Sequence, residues 1–417
     1  MIGATKHRIL SSRLARRYLL PWLARRAYRR AGGTTDRFTP PAIESLHESA
    51  AAAGLGLRVL RPATFETRPP SRALQEDALN VLLEGRNLVA NHRATVEARS
   101  RDASEIYFSS LAAFTRYPVP EAFSCEIPDA IVYAPEGAVF TADGTFVSES
   151  LFTGRPRAFP QPGPDMPRLP GRHVSLLTWD GEINYAHWLM DALPRLALAG
   201  VLPPDTRVLV PSPMLPFHRE LPQLAGVHEA ALLPVEAGWY RVEHLTLLRA
   251  SERAIVPRGD LLRELRATIR RGAGHPETTV PSRRIWLSRA GVRRSIVNEQ
   301  DLLPVLDQHE FEIVRPDELS PAEQVRLFAE TAVLAGYHGA GNYNVLFMGD
   351  GSKVIEILNP RLFDHSVARA SAGLGIEYWY ALAEDLGHGS DARIEPAKLN
   401  RLLQYALGTG ALTDERY

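Results

Sequence analysis

A histidine stands directly before Gly-Ala-Gly, at His338-Gly339-Ala340-Gly341, inside the stretch LAGYHGAGNYNVLFMGDGSKVIEI (Leu334 to Ile357). A turn needs one glycine. Two, led by a histidine, point to backbone that approaches a ligand closely with its amides turned outward. With AVLAGY as a strand, His338 falls at its carboxyl end and the glycines occupy the strand-to-helix turn. A helix starting near Asn342 then directs its positive end toward phosphate. The pattern is neither the dinucleotide G-x-G-x-x-G nor a P-loop, and a tight turn with a surface histidine explains the same residues. The next strand carries Glu356. Its expected role is to accept ribose hydroxyls; the plain alternative is a salt bridge to an arginine.

Two further clusters bear chemistry. In WLSRAGVRRSIVNEQDL, Arg289 ends a strand, Arg293 and Arg294 lie in the following loop, and a helix starts near Asn298. Guanidinium groups at a strand exit can neutralise a diphosphate through paired hydrogen bonds, although a solvated basic loop has the same composition. In GEINYAHWLMDALPRL, helical spacing puts Asn184, His187 and Asp191 on one face, with Trp188 beside them, and Asn184 and Trp188 are the candidates to hold the molecule that bears an attacking hydroxyl. Asp191 can orient the His187 imidazole or share its proton, and either group can take a proton from an attacking hydroxyl. A capping and packing cluster, with Asn184 as N-cap, is the structural alternative. The spacing is not H-E-x-x-H, and neither a metal nor another cofactor is expected.

Alternating strands and helices position these residues. HVSLLTW, RVLVPS and VEHLTLL read as strands, with a helix over NYAHWLMDALPRLALAG. After residue 256 come a helix (PRGDLLRELRATIRRG), a strand (RRIWLSR), a helix (NEQDLLPVLDQH) and a strand (FEIVRP). A helix capped by Ser320 with Glu323 three residues later follows, then AVLAGYHG and KVIEIL as strands. Such units build parallel, doubly wound sheets, whose ligands sit beyond the carboxyl ends of the strands. Earlier, NLVANH, AIVYAP and AVFTADGTFVSES read as short strands, the last with an Asp143-Gly144 hairpin signal.

The chain has 417 residues, 45% hydrophobic and 23% charged, enough for two or three globular domains. Lys+Arg and Asp+Glu are both 48, so no net field selects nucleic acid. The single cysteine, Cys125, leaves no internal disulfide and no cysteine metal cluster, which suits a reducing compartment. Residues 1–33 hold many arginines and no acid. They suggest a basic amphipathic segment lying on an anionic membrane surface; a solvated arm or a packed helix is the alternative. No apolar run there reaches the roughly 18–20 residues of a spanning helix, and no signal-peptide core is evident. The expected division is a basic segment at 1–35, an α/β domain with a β-rich first part at 36–255, a nucleotide-binding-type Rossmann-like domain at 256–390, and a C-terminal helix and tail at 391–417.

Taken in order, NYAHWLMDALPRL, IWLSRAGVRRSIVNEQDL, FEIVRPDELSPAEQVRLFAET and GYHGAGNYNVLFMGDGSKVIEI resemble the family 61 glycosyltransferases. That family includes bacterial capsular-polysaccharide enzymes, plant xylan-decorating enzymes and O-linked N-acetylglucosaminyltransferases. The resemblance covers about residues 172–360. It implies an inverting, metal-independent transferase of the GT-B type, with two Rossmann-like domains facing across a cleft and the donor held by the C-terminal one. On that resemblance 36–255 is the acceptor-side domain and 256–390 the nucleotide-sugar-binding one. Carried over, Arg289 and Arg294 resemble diphosphate contacts, and His338, Gly339 and Gly341 the donor-facing turn. His187 and Asp191 match the helix motif. The implied partners are a nucleotide-sugar donor, with UDP-sugar expected, and a glycan or lipid-linked glycan acceptor in surface-polysaccharide synthesis. The basic N-terminal segment fits a bacterial, cytoplasmic enzyme working at the inner membrane face. GNYN stands where many relatives carry a Leu-Thr-Asn-type run, which leaves the donor base and sugar open. The rival readings are a two-domain nucleotide-sugar epimerase, a glycan phosphorylase, and a non-catalytic module that binds sugar nucleotide or glycan.

Overall fold

The structure is a computed structural model that describes residues 37–43, 45–51, 53–67, 71–74, 77, 116–151, 158–163, 165–201, 203–253, 256–275, 280–292, 294–359, 366–386 and 391–409. The basic segment expected at 1–35, the NLVANH stretch and Arg293 lie outside the described residues. The chain is α/β and forms two compact units. One takes the described residues up to 64, 119–275 and 317–323; the other takes 65–118, 276–316 and 324–417.

The first unit is built on a nine-stranded sheet. Its strands are β1 (Ala42–Ile43), β2 (Gly56–Arg61), β3 (Ala122–Ala134), β4 (Ala138–Phe140), β5 (Phe146–Val147), β6 (Arg168–Ser175), β7 (Arg207–Pro211), β8 (Leu232–Val235) and β9 (Gly238–Arg249). The order is β8-β7-β6-β9-β3-β4-β5-β1, with β2 also pairing on β3. β6 to β9 are mutually parallel, and β9 turns the sheet antiparallel where it meets β3. The hairpin expected around Asp143-Gly144 is the antiparallel pair β4 and β5. Phe123, Ile127, Val132, Leu177, Leu209 and Leu245 belong to the buried core of this sheet. Two helices, α1 (Pro216–Leu224) and α2 (Gly259–Gly272), follow β7 and β9. α2 buries Leu261, Leu262, Leu265 and Ile269, the stripe its sequence period demands.

The second unit carries a six-stranded, wholly parallel sheet. Its strands are β10 (Arg283–Leu287), β11 (Glu312–Val314), β12 (Thr331–Tyr337), β13 (Lys353–Leu358) and β14 (Glu377–Leu382), in the order β11-β10-β12-β13-β14, with Arg72–Ala73 added beyond β14. β12 and β13 are almost continuously buried, as strands covered on both faces must be. The helices are α3 (Glu299–Gln308), α4 (Pro321–Ala329), α5 (Ser366–Gly373) and α6 (Pro396–Leu407). The capping box ahead of α4 is formed. Glu323 N donates to Ser320 Oγ at 3.2 Å, and Ser320 N donates to Glu323 Oε2 at 2.7 Å. Among the described residues no helix is long and apolar enough to cross a membrane.

The stretch expected as one helix after Asn184 is three kinds of helix in succession. An α turn (Tyr185–His187) passes into a π turn (Trp188–Ala192) and then a 3-10 stretch (Leu193–Val201). The Leu193 amide bonds the carbonyl of Trp188, five residues back. Pro194 has no amide to continue the ladder, which is a physical reason for the change of winding. Single π turns of this kind often accompany functional residues.

Gly272 tests the packing of the first unit. A Cβ there would lie 2.1 Å from the Leu224 carbonyl oxygen and 2.9 Å from its Cα. Alanine would gain roughly 1 kcal/mol of helix propensity, but overpacking against main chain costs about 1–3 kcal/mol. Gly272→Ala is therefore expected to lower the urea midpoint, and a raised midpoint would show that the two helices part easily.

Candidate active site

In the second unit the chain runs outward from β10 to β11 and then returns to the other side of β10 as β12. The order reverses between β10 and β12, where an open parallel sheet leaves a crevice at its carboxyl edge. Leu287 and Gly336 are register partners in those strands, so Arg289 and His338 leave the sheet as neighbours. Gly339 follows in extended conformation, at φ 173. Its missing side chain is a matter of room: a Cβ would lie 2.2 Å from Arg289 Nη1 and 2.8 Å from Cζ. Gly341 is different, because a Cβ there would meet Leu287 and Pro316 only at 3.4 and 3.5 Å. Arg289 Nε donates to the Arg294 carbonyl at 2.6 Å, and Arg294 turns the loop back through a left-handed φ of 63. Burial raises the Tyr337 phenol, opposed first by a hydrogen bond with Asn359 and then by the charges of Arg294 and Arg289.

Beneath this turn lies Glu356, with no exposed surface. It accepts hydrogen bonds from His338 Nδ1 (2.8 Å), Asn342 Nδ2 (2.8 Å) and Tyr378 OH (2.6 Å). Both oxygens are engaged by protein donors. The side chain holds the turn from below, which departs from the ribose-accepting position expected of it. Because Asn342 gives its amide nitrogen to Glu356, its Oδ1 is left buried without a partner among the described residues. Asn344 donates to Gln324 Oε1 at 3.1 Å and to the Gly341 carbonyl at 3.0 Å, closing the 3-10 turn Ala340–Phe347 on itself. Asn298 takes no hydrogen bond from this group. Its amide donates to the Ile394 carbonyl at 3.0 Å and accepts from the Ile394 amide at 3.3 Å, which makes it a clamp on the chain ahead of α6.

The first unit has a matching reversal, between β6 and β9. The chain leaves β6 through Leu177, Thr178 and Trp179, turns at Asp180 (φ 60) and enters the 185–201 helical run. Asn184 caps that run, accepting from the Ala186 amide at 3.1 Å while donating to Asp180 Oδ2 at 2.8 Å. One turn on, His187 Nδ1 donates to Asp191 Oδ2 at 2.6 Å, and both side chains are buried. This bond fixes the imidazole with Nε2 as its other nitrogen. Burial works against a charged His187, but the hydrogen bond to Asp191 and the charges of Asp191, Asp180 and Glu182 outweigh it, so its pKa is raised. Arg195 completes the group. It is buried and anchors the helical run to the end of β6 by donating to the carbonyls of Ser175 (2.7 Å) and Leu177 (3.0 Å). Burial lowers its pKa to about 10, opposed by the charge of Asp191.

Trp188 does not face an acceptor. It is fully buried, with its ring 4.5 Å from that of His218. The tryptophan at the surface is Trp179, 40% exposed, with its ring centroid 5.1 Å from the His187 ring at 86°. His218 is buried and its pKa is pushed down to about 3. Neutral, it donates from Nε2 to the Gly181 carbonyl at 2.9 Å and accepts the Leu215 amide at Nδ1 at 3.0 Å. Burial, with Asp180 and Glu136 nearby, pushes the Glu182 carboxyl up to about 7, and its Oε2 has no partner among the described residues. Trp179, Arg195, His218 and Tyr378 escaped the sequence reading. Of these only Trp179 had a signal, as a tryptophan at a strand exit ahead of Asp-Gly. Among the described residues no group of three or more His, Cys, Asp or Glu side chains is placed to hold a metal ion.

Comparison with known proteins places a family on this geometry. Residues 185–355 match the family model described as Glycosyltransferase 61. The match opens at the first helical residue after Asn184 and closes one residue before Glu356. No curated protein matches the chain.

The two glycines differ in the room around them. Gly339→Ala should push the Arg289 guanidinium aside at little cost in stability, because the clashing atoms end a flexible side chain. The Arg289 Nε–H resonance in a proton–nitrogen spectrum should move, with the melting temperature within about 2 °C of wild type. Gly341→Ala should leave that resonance in place. Identical spectra for both variants would contradict the close approach.

Proposed function

We propose, from the premise that this chain carries a family 61 glycosyltransferase domain and is a glycosyltransferase, that it moves a sugar from a nucleotide-sugar donor to a glycan hydroxyl with inversion. UDP-sugar is the proposed donor and a growing surface polysaccharide the proposed acceptor. The observation that carries the donor site is the Arg289 guanidinium against bare Gly339 backbone, at the strand reversal inside the matched stretch. Arg289 and Arg294 take the diphosphate. Glu356 acts through His338 and Asn342, holding the turn rigid, and a hydroxyl of the bound donor supplies the missing partner of Asn342 Oδ1. Two α/β units, each with a charged cluster at its strand exits, support the GT-B plan that the resemblance implies.

The acceptor oxygen attacks the anomeric carbon from the face opposite the nucleotide. The bond from that carbon to the phosphate oxygen breaks, and its electron pair leaves with the diphosphate. The hydroxyl proton passes to His187 Nε2. Asp191 stabilises the imidazolium that forms, as its 2.6 Å bond allows. Arg289 and Arg294 meet the negative charge that grows on the leaving group, where electrostatic stabilisation has most effect. A raised pKa makes His187 a stronger base than free histidine, at the expense of the fraction that is neutral at pH 7.

A thermal-shift screen across UDP-, GDP- and CMP-sugars should raise the melting point with the true donor class. Arg294→Ala should reduce transfer by about 10²–10³-fold with little change in melting point. Transfer at the wild-type rate would remove Arg294 from the donor site. Product formed from the donor without acceptor would favour the epimerase reading instead.

The pH dependence has a definite sign. The neutral imidazole is the base, so the acid limb of kcat/KM should lie above the ordinary histidine value of about 6.5. Asp191→Asn removes the largest influences that raise the pKa and leaves burial opposed only by the charges of Asp180 and Glu182, so that limb should move to lower pH as turnover falls. Stability runs the other way. The charged pair stabilises the fold fully below about pH 6.5 and loses that contribution as pH rises through the raised folded pKa. The stability deficit of Asp191→Asn should thus be larger at pH 5.5 than at pH 9, and an equal deficit at both would rule out the pair.

A further inference from the structure

We infer that Trp179 is the platform on which a pyranose ring of the acceptor lies while its hydroxyl meets His187. The inference rests on the transferase reading above and narrows its acceptor to a pyranoside presented ring-first. Three observations carry it. Trp179 is 40% exposed, and Phe65 is the only other exposed aromatic among the large apolar side chains described. It sits against the proposed base, with ring centroids 5.1 Å apart. It also stands in a hydrogen-bonded turn. The Gly181 amide donates to the Thr178 carbonyl at 3.0 Å, the Asn184 amide to the Asp180 carbonyl at 2.9 Å, and neutral His218 to the Gly181 carbonyl at 2.9 Å. Asp180 accepts a left-handed φ of 60 to complete the turn. Backbone strain of that kind persists where the surroundings over-determine it, often at binding sites.

The chemistry of the platform selects a sugar. One face of a pyranose carries axial C–H bonds with slight positive charge, and an indole face is negative. Hydroxyl groups ring the edge of the same sugar and need acceptors. Asp180 and Glu182, one and three residues from Trp179, are half-buried and supply carboxyl oxygens, while the amide oxygen of Asn184 is taken by the Ala186 amide. A flat aromatic face bordered by a few polar groups is the usual composition of a small-ligand site. Trp179 is not among the buried side chains of the first unit's core, and its ring contact is with His187.

The test uses the full chain and methyl β-D-pyranosides of glucose, galactose, xylose and N-acetylglucosamine, read by saturation-transfer NMR. At least one should receive saturation on its axial ring protons from wild type. Trp179→Ala should weaken that pyranoside by about tenfold or more, about 1.4 kcal/mol, and Trp179→Phe should keep most of it. The melting-point rise with the active nucleotide sugar should be unchanged in both variants, which separates loss of the platform from loss of the fold. Equal pyranoside binding by Trp179→Ala, or none by wild type while the nucleotide sugar still binds, overturns the platform and leaves the transferase reading standing. Failure of every nucleotide sugar to bind wild type overturns the reading beneath it.

Discussion

A carboxyl group with no access to water must be surrounded by donors, and much of the second unit's site follows from how Glu356 meets that demand. Its position on β13 places it beside Gly336 of β12 and Tyr380 of β14. The three donors come from two segments: His338 and Asn342 from the turn after β12, and Tyr378 from β14. Removing any one would leave a buried acceptor short of a partner, a penalty of roughly 1–3 kcal/mol. The turn is thereby fixed from below while its upper face is kept bare by Gly339. Arg289 lies on that bare face, and the order of the sheet brings it there.

Both sheets place their charged clusters by the same rule. A parallel strand that sends its next neighbours to one side and a later one to the other opens a gap at its carboxyl end. In the second unit that strand is β10, and Arg289 and His338 stand at the gap. In the first it is β6, and the loop carrying Trp179 leads from it to His187. Arg195 ties the helical run back to the carbonyls of Ser175 and Leu177, so the dyad is referenced to the strand and not to a loose loop.

Period and punctuation made the frame legible. Ser320 and Glu323 form the capping box their spacing announced, and RRIWL, AVLAGY and KVIEIL are adjacent parallel strands. The i, i+4 relation of His187 and Asp191 survived the π turn between them because both side chains still meet on one side. What the sequence could not carry was the third dimension. Trp188 and Trp179 are both tryptophans near a histidine, and only packing decides which is buried. Asn298 opens a helix, yet its amide is drawn to Ile394, 96 residues away. Glu356 reads as a strand-end acid, and its three donors come from residues whose convergence depends on the register of three strands. Gly339 and Gly341 look alike in a string, but only one has an arginine pressed on it.

Each unit sets a histidine on a buried acid, and the two pairs differ in what surrounds the acid. Glu356 is satisfied by His338 and two neutral donors, so His338 belongs to a closed scaffold. Asp191 has His187 as its hydrogen-bonded partner and the Arg195 charge acting with it. In the proposed mechanism the Arg195 charge would keep Asp191 countered while His187 is neutral. A base must change charge once per turnover, and a buried site tolerates this only when the partner is not left alone in the neutral half of the cycle. Arg195, silent in the sequence, is therefore the residue on which the proposed base role of the first pair depends, where the second pair holds a loop.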